Sequence, residues 1–178
     1  MSSYGRALRT HVEGLILGSA GVRTMAEGRF HKPPPDRTVD DAEAQERAFE
    51  AVLSPGVPIV PVNSCDDFAF YRHRLTVRVR YLFTRAGGDL AEGLTEQDGS
   101  GTLDDLRDRA ITDASDIARV LIYHDNRVTL TEPAVEILVI AQDGEPEEPT
   151  PAPGASSAIL VLPFLIDVQV SLASALAP

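Results

Sequence analysis

The sequence predicts an α+β domain, a mostly antiparallel sheet covered on one face by an N-terminal helix and one long central helix, with long loops. Three observations lead there. Two segments carry apolar residues at helical spacing, Leu75–Phe83 alternates with a period of two, and the chain closes on two apolar stretches, Val135–Ala141 and Ile159–Leu172. Helical and strand patterns do not alternate along the chain, so few parallel crossovers are expected. No internal repeat is visible.

The first helix follows from Tyr4, Leu8, Val12, Leu15 and Ile16, which share one face, with Gly18 and Gly21 ending it. From Gly21 to Asp41 no period holds, and Pro33, Pro34 and Pro35 forbid a helix. Arg47–Leu53 reads as a strand with Phe49, Ala51 and Leu53 on one face, closed by Pro55-Gly56. Val57–Val62 reads as an edge strand, because Pro58 and Pro61 cannot donate to a ladder. In Leu75–Phe83 the odd positions are apolar and three of the four even ones are polar, the pattern of a half-buried antiparallel strand.

Residues 84–101 are rich in Gly, Asp, Glu and Thr and are expected to form an exposed flexible loop. Thr102 is placed to cap the long helix. Its apolar stripe is Leu103, Leu106, Ala110, Ala114, Ile117, Ala118, Leu121 and Ile122; Asp104, Asp105, Arg107, Asp108, Asp113, Asp116 and Arg119 are expected to point away. The acids near its start suit the positive end of the helix dipole. The acidic, Pro-rich segment 142–157 is expected to be a flexible hairpin connection between the last two strands, since Glu145, Glu147 and Glu148 among four prolines build no core. In the last strand Leu160, Leu162, Phe164, Ile166, Val168, Val170 and Leu172 share a face.

With 178 residues, 43% of them hydrophobic, residues 1–178 are read as a single domain. The longest apolar run, Ala158–Ile166, is broken by Pro163 and is far shorter than the roughly 20 residues of a membrane-spanning helix, so no membrane role is expected. The start Met1-Ser2-Ser3-Tyr4 lacks the basic and apolar regions of a signal peptide, which implies synthesis in a cytoplasm. A net charge of −11, from 27 acidic and 16 basic residues, opposes phosphate backbones. The one local exception is the basic group Arg72, His73, Arg74, Arg78, Arg80 and Arg85.

Candidate chemistry is thin. Asp104, Asp105 and Asp108 spell a D-D-x-x-D pattern that can hold magnesium, but at the start of one amphipathic helix these acids are better explained by solvent and dipole. His11, His31, His73 and His124 are scattered, without metal-ligand spacing, and read as isolated surface or capping residues. Cys65, the only cysteine, has no catalytic surroundings and reads as a free buried thiol. No serine sits in a nucleophile elbow, and Gly87-Gly88 and Gly99-Ser100-Gly101 lack the lysine of a phosphate loop. The expectation is no catalytic site, no cofactor, no metal and no enzyme.

Three segments in order, Glu46–Val52, Tyr71–Tyr81 and the helix around Asp113–Leu121, resemble the tail terminator (tail completion) proteins of long-tailed bacteriophages, and the closing Ile159–Val168 fits the same pattern. The resemblance covers about residue 44 to the end and rests on order and pattern. It implies a structural virion subunit at the tail–neck junction: a homo-oligomeric ring, hexameric as a rule, that caps the tail tube and stops its growth. The implied partners are the major tail tube protein and a neck or head-completion protein, with DNA only passing through the channel. Another head-tail connector or neck completion protein remains the alternative from sequence. A small ligand-binding or enzymatic α+β domain is the reading from a different class.

Overall fold

The structure is a computed structural model, and it describes residues 3–18, 48–59, 68–82, 103–122, 129–131, 134–149 and 157–171. Among the described residues two helices, α1 (Ser3–Gly18) and α2 (Leu103–Ile122), accompany six strands: β1 (Phe49–Leu53), β2 (Val57–Pro58), β3 (Phe68–Leu82), β4 (Thr129–Thr131), β5 (Ala134–Gln142) and β6 (Ser157–Ser171). The sheet runs β1-β3-β6-β5-β4, with β2 also on β3, and every pairing is antiparallel.

The sheet is organised around one long ribbon. β3 and β6 pair in unbroken register from Phe68↔Ser171 to Leu82↔Ser157, and 15 residues at about 3.4 Å each make a ribbon roughly 50 Å long. The ribbon is longer than either helix, which at 16 and 20 residues span about 24 and 30 Å.

The odd positions of β3 (Leu75, Val77, Val79, Tyr81) and the even positions of β6 (Leu160 to Val170) face the helices. They form a single core with Phe49 and Ala51 of β1, Val135, Ile137 and Ile140 of β5, Leu8, Val12 and Ile16 of α1, and Leu106, Ile117 and Leu121 of α2. The expected apolar faces of both helices are thus the buried ones.

Pro163 stands in the middle of the central strand, where a missing N–H should break a ladder. Its carbonyl accepts from the N–H of Asp143, so its backbone polar side turns toward β5. Thr76, its neighbour on β3, sends its own bonds the other way, as Arg74 O and Arg80 N do toward Ser54 and Ala48. Proline therefore removes no bond from the β3–β6 ribbon.

Several expectations are corrected. β3 begins at Phe68 rather than Leu75, because the irregular stretch Phe68–Arg74 is held by register with β6 on one side and β2 on the other. The edge strand expected over Val57–Val62 is two residues long. β4 went unread because three residues give no period. Segment 142–157 was expected to be a flexible connection, yet Gln142 still pairs with Phe164. Asp143 bonds Pro163, and Glu147 exchanges two backbone bonds with Val161, at 2.9 and 3.3 Å. Asp143–Pro149 is a strap that continues β5 along β6 after a kink at Gly144, whose φ of 103° favours glycine. Residues 150–156, the loop 84–101, Thr102, Cys65, His31 and His124 lie outside the described residues.

Candidate functional site

Among the described residues the helices cover one face of the sheet, so the informative surface is the other. An antiparallel sheet can leave one face to water, and its strands then alternate apolar and polar residues. β3 obeys this rule, turning Arg72, Arg74, Thr76, Arg78 and Arg80 outward. β6 does not. Its outward residues include Ile159, Val161, Pro163 and Leu165 in succession, so its middle is apolar on both faces, like a strand that is covered twice.

Around this row the open face is studded with further apolar side chains. Six large hydrophobic residues are exposed among the described residues, and four of them, Val52, Val57, Phe68 and Val139, lie on this face. Val52 is 50% and Val139 45% exposed, on opposite flanks of the ribbon.

Arg72, Arg74 and Arg78 each have an acidic partner. Arg72 grips its register neighbour Asp167 with two bonds of 2.7 Å, Nε to Oδ1 and Nη2 to Oδ2. That hydrogen bond, and then the charge of Asp167, raise the Arg72 pKa above its ordinary value. Arg78 bonds Glu50 at 2.6 Å, again a register pair. Arg74 reaches Asp143 of the strap only at 3.5 Å and keeps its side chain 78% exposed. The basic group is thus a row on one face, largely neutralised in place. His73 is not part of it, and Arg85 lies outside the described residues.

Two polar groups expected at the surface are buried. Asp113 is fully buried, and Tyr81 donates its hydroxyl to Asp113 Oδ2 at 2.8 Å, joining α2 to β3. His73 points to the helix side of the sheet, with Nδ1 2.9 Å from the carbonyl oxygen of Ser54 and its ring edge-on to Tyr4 at 5.7 Å. Of the D-D-x-x-D acids, Asp108 is exposed, as expected of a solvent-facing residue. Among the described residues no three His, Cys, Asp or Glu are grouped to hold a metal ion, and no helix is long and apolar enough to cross a membrane.

The open face was the surface that reading by alternation missed. The signal was present in the run Ala158–Ile166, interrupted only by Pro163: a strand apolar at both odd and even positions has two faces to cover, and the two helices cover one. Compared with known proteins, the chain matches no family model, and no curated protein matches it in sequence.

Proposed function

We propose that this chain is a structural virion subunit of the tail-terminator kind, which closes with copies of itself into a ring, caps a tail tube and offers a docking face to the neck of a capsid. The observation that carries the reading is the open face of the sheet. A central strand apolar on its outer side, flanked by exposed Val52 and Val139, is a surface built to be covered by protein. The order and pattern of the three segments that resemble tail terminators supply the identity of the assembly. Identical subunits joined by unlike faces close a ring when the rotation between neighbours closes.

In such a ring each contact can be modest, so the subunit can stay monomeric in dilute solution and close only on the tube, where neighbours are held at high effective concentration. The test is electron microscopy of particles assembled without this chain. Tails of uncontrolled length, or finished tails that fail to join capsids, are the expected result. Normal tails on full capsids overturn the reading.

A further inference from the structure

The two outer surfaces of the domain carry matching features, one on the sheet and one on the helix layer. On the sheet, Leu165 lies in register between Arg74 of β3 and Ala141 of β5, with Pro163 beside it and Val139 beyond. Ala141 is a small neighbour on one side of Leu165, and on the other stands Arg74, whose side chain is 78% exposed and meets Asp143 at 3.5 Å. On the opposite side of the molecule, Ile111 projects from α2 with 62% of its surface exposed. One turn earlier on the same helix face stands Asp108, also exposed. Most of this mid-helix isoleucine lies in water and adds nothing to the buried core of its own subunit.

We infer that Ile111 of one copy seats beside Leu165 on the open sheet face of the next, with Asp108 paired to Arg74 across the contact. The inference rests on the ring reading and names its interface. The chemistry selects a second copy because one chain carries both halves: an apolar knob with an acid, and an apolar seat with a largely exposed cation that Asp143 holds only at 3.5 Å. The halves sit on opposite layers, so a copy that gives its helix to one neighbour keeps its sheet for another. Helix on sheet is also the packing the subunit uses internally, so the contact repeats a layer order already present in the fold.

The experiment uses the full chain in a Cys65→Ser background. Ile111→Cys and Leu165→Cys are introduced singly and together, and the protein is oxidised at the highest concentration it tolerates. A ladder of disulfide-linked multimers from the double variant, absent from both single variants, is expected. A dimer from Leu165→Cys alone means that two sheet faces meet, and this overturns the inference, as does the absence of a ladder. Arg74→Glu, added to the double variant, is expected to cut the ladder yield at least about tenfold, the ratio equivalent to roughly 1.4 kcal/mol. Adding Asp108→Arg as well is expected to restore it, and no restoration rejects the Asp108–Arg74 pairing. Circular dichroism of each variant separates lost contact from lost fold. The particle experiment reads independently: uncontrolled tails without a ladder reject this interface and keep the ring reading, whereas a ladder with normal tails keeps the contact and rejects the terminator role.

Discussion

Tyr81 and Asp113 are both fully buried, and the 2.8 Å bond from the tyrosine hydroxyl to the aspartate carboxylate joins the middle of the long helix to the central ribbon. A carboxylate taken out of water is costly unless it is hydrogen-bonded, so this pair fixes where α2 sits along β3 as well as holding it there. Tyr81→Phe removes the donor and leaves Asp113 short of one bond. A loss of about 1.5 to 3 kcal/mol is expected in urea unfolding. Asp113→Leu alone is also destabilising, but the double variant should lose clearly less than the sum of the two. Strict additivity would show that the bond contributes nothing of its own.

Gly56 is fixed by His73. A Cβ at position 56 would stand 2.8 Å from His73 Cε1 and 2.9 Å from Nε2, and the imidazole is held in place by the Ser54 carbonyl and the Tyr4 ring. Gly56→Ala must push the ring aside, at an expected cost of about 1 to 3 kcal/mol. His73→Ala removes the two shortest contacts and leaves only Tyr71 Cβ, at 3.2 Å, so in that background the same alanine should cost clearly less. An equal cost in both backgrounds would place the strain in the turn backbone instead of the contact.

These two pairs also mark where the sequence stopped being legible. The apolar stripes of α1 and α2 and the alternation of Val77, Val79 and Tyr81 are local patterns, and burial follows them residue by residue. Asp113 is polar by composition, yet it stands three residues after Ala110 and four before Ile117, on the buried stripe of α2, where the hydroxyl of Tyr81, 32 residues away, gives it a partner. His73 lies among arginines in sequence, but alternation along β3 puts it on the opposite face from Arg72 and Arg74. The strap Asp143–Pro149 has the composition of a solvated connection, and its order comes from backbone bonds to β6 that its side chains do not announce. Long-range backbone pairing is invisible to a window of adjacent residues; the apolar outer side of β6 was legible in Ala158–Ile166, but which of its faces the helices take is decided only in the fold.

Ile117 is fully buried in the core and Asp108 is exposed on the same helix, so the two provide an internal contrast. Ile117→Ala should lower stability by about 2 to 4 kcal/mol through lost burial and a residual cavity. Asp108→Ala should change it by less than about 0.5 kcal/mol. Denaturant titration of both variants under one set of conditions checks the pair. A large loss of stability at Asp108 would mean that the acid has a structural partner within its own subunit.

Gly144 controls whether the strap lies on β6. Its φ of 103° is open to glycine and strained for alanine, and nothing lies within 4 Å of where a Cβ would stand, so the cost of Gly144→Ala is purely one of backbone conformation. It should amount to about 1 kcal/mol or somewhat more, concentrated in the strap and not spread through the core. The kink separates two anchors, the Asp143–Pro163 bond on one side and the paired bonds of Glu147 with Val161 on the other. Alanine should therefore loosen the second anchor while the first, continuous with β5, persists. Amide hydrogen exchange reads this directly, because Glu147 and Val161 donate to one another across the gap and should lose protection together. The amide of Asp143 should change much less. Faster exchange throughout β5 and β6 would instead show that the strap is part of the cooperative sheet and that its geometry is felt along the whole ribbon.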